Sequence, residues 1–443
     1  MSPVRRISRA SFDINLIRSP INFCQAHHGQ LCCSKDKEIP EYFRVIDCTT
    51  REIIKAPVSC EYVALSYVWG PCTPEHPVYI AQKGVQMLPN CPKVIEDSVK
   101  VTLQLHRRYL WVDRYCINQH DESEKSDQIN QMDLIYANAL VTIIAAAGDG
   151  PEHGLPGVEN TLRKQQPCLK VNGLTIVSAS PCPRFQLQKS KWSSRAWTFQ
   201  EGILSKRRLI FTDEQAFFEC NTMHCLETFV IPLDELHTTD KMRVKKERYT
   251  EKGFHLKPPG TQPGNFISYA SLFSQRELKF EEDTINAMQG ILHSFSNSKQ
   301  TVLHFMGVEI QTLNSIDTGD ELTTAEQSFV HGLTWLHKQP GKKRNYHFPS
   351  WSWAGWIGQV GSSLGYNSRE YSPTDVKVWI EGPAAEVPEV GKSARFIGTT
   401  TIFRYCVHSY RSFELLFFDY QRIRHARHAT RMDLEDASGG YGA

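Results

Sequence analysis

Apolar residues fall along this chain in two rhythms. Tyr62 to Tyr67 (YVALSY), Tyr109 to Val112 and Leu140 to Ala147 (LVTIIAAA) are short apolar runs that predict strands. The last is apolar on both faces, as a central parallel strand is. Between these runs the spacing changes. Ile95, Val99 and Leu103 recur every four residues and predict a helix from about 93 to 107. Asp121, with Glu124 three residues on, predicts a helix cap, and Ile129, Met132, Ile135 and Tyr136 continue one apolar stripe. Tyr42 to Asp47, Leu174 to Ser178 and Arg208 to Phe211 predict further strands, and Arg195 to Leu204 a helix. Strands alternating with helices imply a parallel α/β unit over about 58–225.

The flanking regions have other textures. Residues 1–57 read as an N-terminal extension and 226–402 as a mixed α+β region. Within the latter lie a charged, helix-prone stretch around Asp240 to Lys252, a Pro/Gly-rich loop at 257–264 and a helix at 283–293 capped by Asp283. Trp351 and Trp353 alternate onto one predicted strand face, which suits a stacking platform for bases or a buried aromatic cluster. Residues 403–443, with clustered Arg and His before a Gly-rich end, read as a charged helix fading into a disordered tail.

Charge and composition exclude several classes. Lys and Arg number 50 against 48 Asp and Glu, a net +2, which argues against a general nucleic-acid binder. The longest apolar run, Ala139 to Ala147, is about half of a bilayer span, so no membrane span is expected. The opening MSPVRRISRASFD has arginines without an apolar stretch behind them, which disfavours a secretory signal and leaves a mitochondrial leader as the alternative. Thirteen cysteines in a chain of 443 residues read as mostly reduced, buried thiols of a cytoplasmic protein. Two groups have ligand chemistry: Cys24, His27, His28, Cys32 and Cys33, and then Cys220, His224 and Cys225. Neither has the paired Cys spacing of a zinc module, so both read as ordinary packing and no metal is expected.

Polar and glycine residues that packing does not demand sit where the strands end: Trp69-Gly70, Asp113 through Asn118-Gln119, Gly148-Asp149, and Arg195 to Glu201. In an open parallel sheet, ligands bind outside the carboxyl ends of the strands, so these segments are expected to form one site. Neither a Walker loop nor GxGxxG follows any strand, which removes the P-loop and Rossmann readings. Gly70 reads as a tight strand exit. Cys116 has no marked histidine to act as its base.

EYVALSYVWG (61–70), LWVDRYCINQHDESEKSDQINQMDLIYANA (110–139) and SRAWTFQEGILSKRRLIF (194–211) resemble the three blocks of the fungal heterokaryon-incompatibility (HET) domain. YFRVIDCTTREI (42–53), SQRELKFEEDTINAMQGIL (274–292) and FPSWSWAGW (348–356) resemble segments that flank it. The resemblance implies an effector of fungal self/non-self recognition that triggers death of incompatible fused cells. A weaker resemblance, to Toll/interleukin-receptor (TIR) domains, implies a flavodoxin-like parallel sheet. YVALSY is similar to the first-strand box of that family. Trp197 and Glu201 are similar to the Trp-x-x-x-Glu spacing that places the catalytic glutamate of TIR-type NAD hydrolases, and a four-residue offset shares one helix face.

On that reading Glu201 stabilises an oxocarbenium-like ribose or activates water, with NAD as substrate and no bound cofactor. The alternative is an ion pair with Arg195 or Arg208. Trp197 stacks on a base or packs in the core. Asp113 and Asn118 hold ribose or serve their own turn. Trp69, Gly70 and Arg195 complete the expected substrate-binding set. Two mechanisms stay open: NAD hydrolysis by a homo-oligomer, and a non-catalytic module that acts by oligomerising and recruiting a recognition partner protein.

Overall fold

The computed structural model describes residues 4–32, 42–70, 86–178, 181–230, 232–244, 253–254, 258–262, 265–311, 328–329, 332–340 and 343–362, with the strands 375–381, 402–408 and 413–417. The chain divides into two compact units, residues 1–262 with 272–298, and residues 263–271 with 299–443.

The first unit is built on a nine-stranded sheet. Its strands are β1 (Arg44–Asp47), β2 (Glu52–Lys55), β3 (Tyr62–Ser66), β4 (Gln86–Met87), β5 (Tyr109–Trp111), β6 (Val141–Ala145), β9 (Arg207–Phe211), β10 (Ala216–Cys220) and β11 (His224–Leu226). They lie in the order β11-β10-β9-β6-β3-β5-β1-β2-β4. The strands expected at 62–67, 109–112 and 140–147 are adjacent and parallel, as their alternation with helices implies: β3 lies between β5 and β6, and β9 adds a fourth parallel strand beside β6. Every residue of β3, β6 and β9 is buried, which is why β3 and β6 are largely apolar runs instead of alternations; β9 also buries Arg207 and Arg208, each held by hydrogen bonds.

The sheet is not parallel throughout. β1 pairs antiparallel with β5 and β2, and β10 pairs antiparallel with β9 and β11. Residues on both sides of position 58 thus belong to one sheet. Tight turns after β1, β9 and β10 leave no room for a crossover helix, so those partners must run antiparallel. The hairpin β7 (Cys168–Val171) and β8 (Leu174–Val177) stands apart with mostly exposed residues.

The helices are α1 (Asn15–His27), α2 (Gly29–Cys32), α3 (Lys93–Gln104), α4 (Asp113–Cys116), α5 (Glu122–Asn130), α6 (Met132–Asn138), α7 (Pro183–Lys189), α8 (Lys191–Ser194) and α9 (Trp197–Leu204). Asp121 caps α5 by accepting from the backbone N–H of Ser123 and Glu124, each at 3.0 Å. The Glu124 carboxylate pairs with Arg44 instead of completing the cap. The expected single stripe from Asp121 to Tyr136 is two helices, broken at Gln131. Around Asp283 the expected cap is not formed. Residues Glu281–Thr284 and Asn286–Met288 are 3₁₀ turns, and the α-helix spans Gln289–Ser296.

The second unit is made of short antiparallel pairs. Val302–Phe305 pairs with Val308–Gln311, Trp335–His337 with Val360–Ser362, and Lys343–Arg344 with Trp356–Ile357. Trp351 and Trp353 do not share a strand; a 3₁₀ turn spans Trp353–Gly355. Both are buried. Trp351 stacks on Phe305 (5.7 Å, 12°), and Trp353 Nε1 donates to the Gly307 carbonyl at 2.6 Å. They are core residues, not a platform for bases. Strands at Ile402–His408 and Phe413–Phe417 pair with each other, and the first also with Asp375–Glu381, where the sequence suggested a charged helix. Apolar residues in FRYCVH and FELLF account for strand formation there. The remainder of the expected tail, and residues 245–252 of the charged stretch, lie outside the described residues.

Candidate functional site

Ser66 ends β3, the strand at which the parallel order turns back on itself. Its hydroxyl donates to Glu201 Oε2 at 2.5 Å and accepts from Trp192 Nε1 at 2.7 Å. Glu201 projects from α9, which precedes β9, and is only 5% exposed. The Tyr136 hydroxyl also lies against its carboxyl. Burial first, and the neighbouring Asp113 charge second, push Glu201 up to about 7, against the pull of Ser66 and Arg195. Among the described residues no ion pair within 4 Å involves Glu201. Arg208 instead pairs with Glu219 at 3.3 Å, across β9 and β10.

Asp113 follows β5. It accepts Trp69 Nε1 and the Arg114 backbone N–H, both at 2.7 Å. Burial pushes it up to about 6 although these bonds, Arg195 and Arg114 favour its charged form. Arg195 is anchored by donation to the Tyr67 carbonyl at 3.3 Å, and its charge acts on both carboxyls. Glu201, Asp113, Trp69 and Arg195 are therefore linked through direct bonds or charge.

The other expected residues sit differently. Asn118 is buried and accepts from the His120 backbone N–H at 3.2 Å, the local turn chemistry of its alternative reading. Trp197 is engaged by the Asp283 carboxyl. Gly70 has φ +69°, and a Cβ there would lie 2.7 Å from Pro151 Cδ, so it serves a tight exit from β3. Cys116 is fully buried and its thiol is pushed up to about 12, unlike a nucleophile. A shallow depression at the ends of β3 and β6 is lined by Tyr67, Val68, Ala145, Ala147, Gly148 and Pro151, among others, but not by Glu201 or Asp113.

Sequence reasoning missed Ser66, Trp192, Tyr136 and Arg276. Arg276 donates to the Arg195 carbonyl at 3.1 Å and lies over the Phe199 ring at 4.7 Å. Burial lowers its guanidinium to about 9, with Glu201 opposing the shift, so it remains a cation near that carboxyl at neutral pH. YVALSY held a signal for Ser66, a lone hydroxyl ending an apolar strand. Arg276 had none, being far along the chain from the residues it joins.

Both carboxyls bind their proton more tightly in the folded chain than in the unfolded one. Unfolding thus releases protons, and stability is expected to fall as pH rises from the ordinary carboxylate range to about 7, levelling off above the folded-state values. Below the ordinary carboxylate range the effect vanishes. Thermal melting of the protein and of Glu201→Gln across this interval checks it: the difference should change in favour of the variant with rising pH. Parallel curves would refute the shift.

Two buried carboxyls that feel each other's charge, Asp113 after β5 and Glu201 on α9, define the class: an α/β domain with a candidate acid–base centre. Residues 62–201 match the family model described as Heterokaryon incompatibility protein (HET), so the chain carries a HET domain. A 104-residue stretch is 35% identical to "Heterokaryon incompatibility protein 6, OR allele" of Neurospora crassa, covering 21% of this chain and 15% of that protein. No solved structure matches the chain.

Proposed function

We propose that this chain is an effector of fungal heterokaryon incompatibility whose HET domain cleaves the nicotinamide–ribose bond of NAD and thereby triggers cell death. The carrying observation is the buried Glu201–Asp113 pair, raised toward neutrality beside Arg195 and Arg276. Departing nicotinamide leaves positive charge on the ribose, and a carboxylate in a water-poor site stabilises that charge. Asp113, at about 6, is the more ionised of the two near neutrality, while Glu201, at about 7, is poised between its charged and protonated forms, so the pair can supply negative charge and also hold a ribose hydroxyl or pass a proton. The parallel strand order β5-β3-β6-β9, which is 2-1-3-4 in chain order, supports a flavodoxin- or TIR-like core. Ligands of such sheets enter beside the first strand, where Ser66 and Glu201 meet. On this reading the active form is a cytoplasmic homo-oligomer triggered by a recognition partner protein.

The second reading is a non-catalytic module that recruits partners. The near-complete burial of Glu201 behind Ser66 and Trp192 favours it, because a closed network also rigidifies a domain. Concentrated full-length protein incubated with NAD decides between them. Released nicotinamide rising in proportion to protein, and absent with Glu201→Gln, is the expected result; intact NAD under conditions where the protein oligomerises favours the recruiting module.

A further inference from the structure

The two Cys/His groups of the sequence meet in space, although they are widely separated along the chain. Cys24 lies in the last turn of α1, His28 in the joint to α2, and Cys32 at the end of α2. Cys220 closes β10. The four potential ligand atoms all lie within 4.8 Å of one another, and all four residues are buried, none more than 2% exposed. His27, His224 and Cys225 do not belong to the group, and Cys33 lies outside the described residues.

We propose that Cys24, His28, Cys32 and Cys220 form a structural zinc site that fastens the N-terminal helices to the sheet. Three sulfurs and one imidazole are a ligand set of closed, four-coordinate zinc. With zinc–sulfur bonds of about 2.3 Å, tetrahedral geometry places sulfurs roughly 3.8 Å apart, so the side chains need move by only about 1 Å. His28 Nδ1 lies 3.5 Å from Cys220 Sγ, and its Nε2 is buried without a hydrogen-bond partner. The Nδ1 edge of the ring therefore faces the sulfur cluster, where its lone pair is available to a metal. Phe23 and His237 pack against it at 5.7 and 5.2 Å and fix its orientation.

The surroundings suit thiolates. The backbone N–H groups of Thr222 and Met223 donate to Cys220 Sγ at 3.4 and 3.3 Å, and Arg207 Nε donates to Cys24 Sγ at 3.2 Å. Three thiolates with one zinc ion carry a single negative charge, and the buried Arg207 guanidinium offsets it. A disulfide accounts for the cluster less well: it uses two sulfurs, leaving the third thiol and His28 without a role. All four residues fall outside the family match at 62–201, so the site belongs to this chain's own framing of the domain. It crosses 192 residues of sequence between His28 and Cys220. A clamp over so long a loop restrains the unfolded chain strongly.

Metal analysis of the full-length protein, purified without chelator, tests this directly. Wild type is expected to carry stoichiometric zinc, and cobalt exchange should give thiolate-to-metal charge-transfer bands with tetrahedral visible absorption. Cys32→Ser and Cys220→Ser should lose both signals, while Cys225→Ser, on the neighbouring strand, keeps them. Wild type without stoichiometric zinc and without the cobalt bands, its cysteines free or paired as disulfide, overturns the proposal. So does equal metal loss from Cys225→Ser. The wild-type measurements decide the matter even where a variant fails to fold, and neither depends on NAD.

Discussion

Glu201→Gln is expected to silence killing on overexpression in a fungal host, with the protein still folded and abundant. Glutamine keeps the volume and an acceptor for the Ser66 hydroxyl. It removes the negative charge that an oxocarbenium-like transition state requires, a loss on the order of 10²–10³ in rate. Folding is not the weak point. Wild type must hold a buried carboxylate above about pH 7, whereas the variant stays neutral, so it should melt at or above the wild-type temperature there. Killing assays, NAD turnover and melting together separate the outcomes. A variant that melts like wild type and still kills removes Glu201 from the chemistry and leaves the recruiting module in the lead.

The second large effect is on stability, away from the site. Glu219 lies fully buried in β10, pairs with Arg208 and accepts the backbone N–H groups of Gly253 and Phe254. Glu219→Ala strands a buried guanidinium and two backbone donors, so it should cost about 3–5 kcal/mol. At roughly 2–4 °C per kcal/mol for a unit of this size, melting should drop by on the order of 10 °C. Arg208→Met combined with Glu219→Leu should recover much of the loss, since an apolar pair removes both the charge and its partner. Scanning calorimetry reads both variants. A drop of under about 1 kcal/mol for Glu219→Ala would falsify the view that this pair is a buried, mutually dependent unit.

The parallel strands were legible because burial on both faces writes itself into an unbroken apolar run: VTIIA in β6 allows little else. Glu201, Asp113 and Trp69 stood out as candidates because polar groups near strand ends and on the helix leading into β9 are not demanded by packing. Less legible was what a residue does through a distant neighbour. Gln131 breaks a helix whose apolar stripe continues past it, since the stripe records burial and not backbone continuity. Asp283, an apparent cap, instead engages Trp197. The cysteines of α1 and α2 gave no zinc spacing because the fourth ligand comes from another strand, a separation that local patterns do not encode. Asn118 met the common fate of an Asn after a strand: it bonds its own turn.

The antiparallel flanks also constrain how copies of this chain can assemble. The four parallel strands have no free edge; β1, β2 and β4 cover one side and β10 and β11 the other. The outermost strands are two and three residues long, too short to template a partner strand. Among the described residues, strand addition is thereby disfavoured at both ends of this sheet. On the proposed reading, an oligomer of this domain would grow through its helices, loops or the exposed β7–β8 hairpin, setting nine-stranded sheets side by side instead of extending one.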